Sequence, residues 1–246
     1  MNKIIAASAI VLATATAANA MTVFDPTFRT KAGKFNTIVD ISYASGDFLA
    51  TDGNFRLGTD DLTYGITDNF NVFIQEGRTR PAVGVNWQMV NDKKFGLDLI
   101  ATADLNKEDL SAAVGVSAYG TISKDWQWGV SGMFRYTSFD DFDDSVELRT
   151  SLMAQAMYKI DSKWSLLGQF NYQIDRESED GLSLGDKAWW IYSKNLTFGV
   201  VYAWKPNVAV MPYITSELDT NVYYDGSKIA SIDGGWIVGA RFGIQF

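Results

Sequence analysis

The chain has no histidine and no cysteine among its 246 residues. Without histidine it lacks the commonest general base and the commonest catalytic metal ligand. Without cysteine no disulfide can staple it, so stability must come from packing and hydrogen bonds. No uninterrupted apolar run approaches the length that a bilayer-crossing helix needs, about 20 residues. A basic excess is missing too: 29 acidic residues outweigh 21 basic ones, for a net charge of −8, which argues against nucleic acid as a partner.

What is present begins with an export signature. Residues 1–20, MNKIIAASAIVLATATAANA, open with Lys3, continue through the apolar run Ile4–Ala13 and end on Ala18-Asn19-Ala20. That order of charge, short apolar stretch and small-x-small site is expected of a cleaved secretory signal peptide. Residues 21–34, MTVFDPTFRTKAGK, form an amino-terminal segment that is either a loose tail or folds back into the body of the protein. The body itself is expected over 35–246.

Twelve runs in that body alternate apolar and polar residues with period two. FNTIVDISY places Phe35, Thr37, Val39, Ile41 and Tyr43 on one face, and WSLLGQFNYQI places Trp164, Leu166, Phe170, Tyr172 and Ile174 on one face. Such alternation predicts strands with one apolar side. Five short polar turns (TDN, NDKK, SKD, KIDSK and KPN) alternate with longer connections, including SFDDFDDS at 138–145 and the stretches 175–188 and 219–235. Short at one end and long at the other is the pattern of an antiparallel up-and-down meander. The predicted fold is all-β, a barrel of about 12 strands, with extra pairing conceivable inside 45–55 or 219–235.

The direction of the apolar face decides between a soluble and a transmembrane barrel. Aromatic residues gather at its two margins: Phe35, Phe95, Trp126, Trp164 and Trp204 near the short turns, Tyr43, Tyr136, Tyr172 and Trp236 near the long ones. Aliphatic residues and alanine fill the middle, while the opposite face carries charges in mid-strand. An apolar belt between two aromatic girdles around a polar lumen is expected of a transmembrane barrel.

The ending WIVGARFGIQF resembles the carboxyl-terminal signal of bacterial outer-membrane β-barrels, and LTYGITDNFNVF is similar to their short hairpins. The resemblance implies an outer-membrane location, short turns in the periplasm and long loops outside the cell. It implies that the barrel-assembly machinery reads Trp236, Phe242, Ile244 and Phe246. Membrane lipid, lipopolysaccharide and small solutes are the other partners it implies. In size alone the barrel resembles the twelve-stranded nucleoside and oligosaccharide channels, although dense arginine and lysine tracks are missing from its lining.

Parity points Asp40, Asp61, Asp98, Arg135, Glu147, Arg149 and Arg241 into the lumen. Closure is expected to bring Asp40 against Arg241, with Asp61 at a similar height, and hairpin register to set Arg135 opposite Glu147. Such groups either stabilise a polar interior or orient passing solutes. Asp140, Asp141, Asp143 and Asp144 form an acidic loop that could take Ca²⁺ or simply be solvated; no other cofactor is expected. WWIYSKN at 189–195 reads as a sugar platform or, preferably, as part of the outer girdle. The loop 175–188 could fold inward as a constriction. With no histidine, and no inward lysine in mid-strand to replace it, an enzyme is not expected. The function expected is a narrow passive channel with a mild cation preference; the alternative is a plugged structural barrel whose acidic loops bind a partner or lipopolysaccharide through divalent cations.

Overall fold

The computed structural model describes residues 22–45, 54–75, 81–92, 94–104, 109–139, 146–178, 188–205 and 207–246. Its strands are β1 (Phe35–Ser45), β2 (Asn54–Thr67), β3 (Phe70–Gln75), β4 (Ala82–Asn91), β5 (Phe95–Asp104), β6 (Asp109–Thr121), β7 (Trp126–Phe139), β8 (Val146–Lys159), β9 (Trp164–Ser178), β10 (Ala188–Lys205), β11 (Val208–Glu217), β12 (Thr220–Tyr224), β13 (Ser227–Ile232) and β14 (Trp236–Gln245). Neighbours from β1 to β11 pair in sequence order, and β14 pairs with both β11 and β1, so the sheet closes. The result is an antiparallel barrel of twelve staves. With strands about 4.8 Å apart and a tilt near 40°, twelve staves give a backbone radius of roughly 12 Å.

The remaining two strands explain the long stretch before β14. β12 and β13 form a hairpin on Asp225-Gly226, both at positive φ (47° and 76°). This is the backbone that a two-residue Asp-Gly turn requires. The hairpin pairs with the first residues of β10, Trp189–Tyr192, beyond the part of β10 that pairs with β11. The extra pairing therefore extends the wall at the long-loop end and adds no stave.

At the seam Phe35 and Phe246 exchange both backbone hydrogen bonds, at 2.8 and 2.9 Å. Their rings stack 5.7 Å apart. Pro212 sits within β11, where it can donate nothing to the ladder; the β10 partners Gly199↔Tyr213 and Tyr202↔Val210 bracket an unbridged gap there.

Packing runs inside out. Phe55, Leu57, Leu110, Phe198 and Trp204 are 56–80% exposed, all on the outward parity. Buried positions include Asp98, Glu147, Gln88 and Gln127, on the inward parity. Burying apolar area drives folding in water, so this distribution is stable only with lipid outside. The girdles are visible as ring pairs. Phe35–Tyr64, Trp126–Tyr158 and Trp164–Tyr202 lie at the short-turn margin with centroids 4.6–4.9 Å apart. Tyr43 touches Phe55 and Trp236 at the other margin, 5.3 and 5.9 Å away. The chain is a transmembrane β-barrel.

The short turns are built from local caps. In the β8–β9 turn the Asp161 carboxylate accepts the Lys163 and Trp164 N–H groups at 2.7 and 2.8 Å. These bonds, the Lys163 N–H foremost, hold its pKa below the ordinary value of 3.8. A group with a depressed folded pKa stabilises above its unfolded value and loses that contribution as pH falls through the folded one. Asp161→Ala should thus lower the unfolding midpoint slightly at neutral pH, and the gap from wild type should close under strongly acid conditions. A gap that widened with acid would contradict this.

Candidate functional site

The lumen is lined by alternate residues of every stave, and a covering element lies across one end of it. Residues 22–34 do not hang free: Thr22, Phe24, Asp25 and Thr30 are all buried. Phe24 joins an inward-facing apolar cluster formed by Met157, Leu167, Val201, Ala209, Met211 and Tyr213. Burying one such ring contributes about 1.5–3 kcal/mol. Asp25 pairs with Lys159 at 2.7 Å. Thr27 donates to the Gln127 side-chain carbonyl at 3.0 Å. Farther along, Arg29 meets Asp98 at 2.6 Å and stacks 3.5 Å from the centre of the Tyr119 ring. Ala32 forms a parallel bridge with Gly65. Those partners belong to β8, β7, β5, β6 and β2 in turn, so the segment crosses the short-turn mouth as a strap before entering β1.

The strap has a charged anchor of unusual depth. Asp98 is fully buried and also accepts hydrogen bonds from the Tyr119 hydroxyl (3.0 Å) and the Asn86 amide (3.1 Å), while Gln88 bonds to Tyr119. A buried carboxylate is tolerable only with this many partners. Arg29 turns its other nitrogens back on its own strap, Nη1 donating to the Pro26 carbonyl at 3.2 Å. The contact between Arg29 Nε and Asp98 is one of charge, because the N–H is not aimed at the oxygen.

Two cavities flank the strap. One, of about 650 Å³, is bounded by Arg29, Lys31, Gln88, Lys94, Tyr119 and Gln127. The other, of about 290 Å³, lies beside Thr22, Lys124, Asp125, Lys159 and Lys163. Both have room for several waters, each of which occupies about 30 Å³ in the liquid.

The inward residues named from sequence fall into three places. Asp40 and Arg241 are direct register partners and form a 2.8 Å ion pair, with the Tyr213 hydroxyl donating to the same carboxylate at 2.8 Å. Asp98 lies under the strap. Arg149 joins Glu147 at 3.1 Å and Asp175 at 2.7 Å toward the long-loop end. Arg241→Ala would leave the Asp40 carboxylate with the Tyr213 donor as its partner among the described residues; a loss of about 1.5–3 kcal/mol is expected in denaturant unfolding, the range for hydrogen bonds to charged groups. An unchanged midpoint would mean that the pair contributes nothing to closure.

Two registers differ from expectation. Arg135 stands opposite Arg149, and Glu147 stands opposite Thr137. The hairpin is offset by two residues from that expectation: its register runs from Trp126↔Tyr158 to Ser138↔Val146, which keeps the faces and shifts the partners. Side-chain bonding repairs the like-charge juxtaposition, since Arg149 turns to Glu147 and Asp175. Asp61 is not level with Asp40 either. Gly58 lies opposite Asp40, and Asp61, which pairs with Gln75 on β3, sits in a β-bulge that adds one residue to β2.

The aromatic run at 189–192 divides between faces. Tyr223 stands across from Trp190 and Asn221 from Tyr192, on the side continuous with the lipid face. Trp189 pairs with Glu177 and Tyr224 on the side continuous with the lumen. The girdle reading thus fits Trp190 and Tyr192 but not Trp189. Asp140, Asp141, Asp143 and Asp144, and most of the loop within 175–188, lie outside the described residues. At the carboxyl end Trp236, Phe242, Ile244 and Phe246 all point outward.

Sequence reasoning did not single out Arg29, Asp25, Lys159 or Tyr119. A signal was present: Met157, Leu167, Val201 and Met211 put apolar groups on the supposedly polar face of four consecutive staves. Such a patch needs a cover, and Val23-Phe24 supplies one.

No protein-family model matches the chain, and no curated protein matches it. Among solved structures, an outer-membrane channel from Pseudomonas putida F1 superposes with a TM-score of 0.61 at 10% identity, over 90% of this chain and 99% of that one. The NanC porin superposes with a TM-score of 0.57 at 14% identity, over 84% of this chain and 98% of that one. At these identities the likeness is one of fold: this chain has the twelve-stave architecture of small outer-membrane channel barrels.

Proposed function

We propose that the chain is exported through a cleaved signal peptide (residues 1–20), assembles in the bacterial outer membrane with its short turns in the periplasm, and acts as a narrow passive channel for small hydrophilic solutes or ions. The observation that carries this reading is the lumen wall. Several of its charges are compensated, Asp40 by Arg241 and Arg149 by both Glu147 and Asp175. Polar side chains line the cavities beside the strap, each with room for several waters. A wall of that kind lets polar solutes pass without a strong binding minimum. A mild cation preference follows from the acidic excess of the chain and from the aspartates at 140–144. Chemistry of the histidine-dependent kind has no residue to perform it.

A second reading draws on the strap itself: a barrel crossed at its mouth could be structural, with acidic loops bridging to lipopolysaccharide or a partner through divalent cations. Proteoliposome swelling separates the two. The channel reading expects swelling in small sugars that fades as the solute grows to a tetrasaccharide. Folded protein that gives no swelling with any solute would favour the structural barrel.

A further inference from the structure

Resting on the channel reading, we propose that the strap at 22–34 is the constriction and that Arg29 is its specificity-determining residue. Three observations lead there. First, the strap crosses the short-turn mouth, and Arg29, stacked on Tyr119, lines the larger cavity there together with Gln88 and Gln127. Second, the Arg29 side chain stays partly exposed (19%) and lines that cavity while its guanidinium neutralises a carboxylate that is wholly buried. Third, the other charges at that cavity, Lys31 and Lys94 against Asp68 and Asp92, balance one another.

The consequence is electrostatic. With Arg29 seated, Asp98 is neutralised and the guanidinium, not the carboxylate, borders the cavity, so the constriction gives cations no local advantage. Without it, the passage runs beside an uncompensated carboxylate in a confined space where screening is weak. The mild cation preference from the loop end is therefore moderated by one residue borrowed from the amino-terminal segment. The strap is fixed at both ends, by Phe24 and Asp25 on one side and by β1 on the other, so Arg29 sits at the middle of a tethered span.

The absence of cysteine gives a clean test. A Cβ built on Gly129 lies 3.3 Å from Pro26 Cβ, near the 3.5–4.5 Å separation that a disulfide spans. The double variant Pro26→Cys, Gly129→Cys should cross-link in the folded barrel, and oxidation should leave both conductance and reversal potential unchanged. Failure to cross-link, or a fall in conductance on oxidation that reductant restores, would place the strap outside the mouth and overturn the proposal. Arg29→Gln should raise the cation-to-anion permeability ratio several-fold in a salt gradient, and Arg29→Lys should keep it near wild type. A wild type that conducts while Arg29→Gln has the same ratio would overturn this proposal and leave the channel reading standing. Silence of wild type and Arg29→Gln alike, with both shown folded by heat-modifiable migration on gels, would overturn both.

Discussion

Asp98→Ala is expected to destabilise the folded barrel by about 3–5 kcal/mol, the usual loss when one partner of a buried ion pair is removed. The loss comes from what is stranded. Asp98 is fully buried, and in its absence Arg29 loses its counter-charge while the Tyr119 hydroxyl and the Asn86 amide lose their acceptor. Part of the cost can be escaped if the middle of the strap lifts and hydrates Arg29, which would loosen residues 26–31 while Phe24 stays docked. The double variant Arg29→Gln, Asp98→Asn strands no charge and should recover most of the loss. Denaturant unfolding in lipid, followed by the shift from fast to slow gel migration, checks both. A double variant no more stable than Asp98→Ala alone would mean that the charge pair is not what holds this region.

Phe246→Asp is expected to reduce assembled barrel in the outer membrane severely, several-fold at least. Stability alone would not produce that. Phe246 lies at the short-turn margin, where a charge facing lipid costs about 0–1 kcal/mol, and its two backbone bonds to Phe35 survive any side-chain change. What the substitution removes is the stacked Phe35–Phe246 edge and the final outward aromatic of β14. If the assembly machinery reads that edge, yield falls far more than unfolding does. Quantifying mature protein in outer-membrane fractions, beside the stability of the same variant refolded in detergent, separates the two effects. A normal yield would remove Phe246 from the assembly signal.

How much of this was legible in the sequence follows from what sets each feature. Alternation fixes which residues face lipid, and the number of alternating runs fixes the staves, so the barrel and its girdles could be read directly. The Asp40–Arg241 pair was readable because closure counts inward from Phe35 and Phe246, two residues that meet at the seam. Arg135 and Glu147 were not, because alternation gives the face of each residue and is unchanged when the β7–β8 register slides by two. Asp61 escaped for a similar reason, a bulge that period-two counting passes over. The strap was the largest omission. MTVFDPTFRTKAGK has no period of its own, and its position is dictated by an apolar patch assembled from four staves far away in sequence. The clue lay in inward methionines and a leucine, where polar groups were expected.

As a channel, the closed barrel must carry water-filled paths past the strap. Single-channel recording in planar bilayers at high salt tests it most directly. Wild-type protein, confirmed as folded by heat-modifiable migration, should give small, discrete and uniform conductance steps. Sustained silence from that same folded protein would contradict the account.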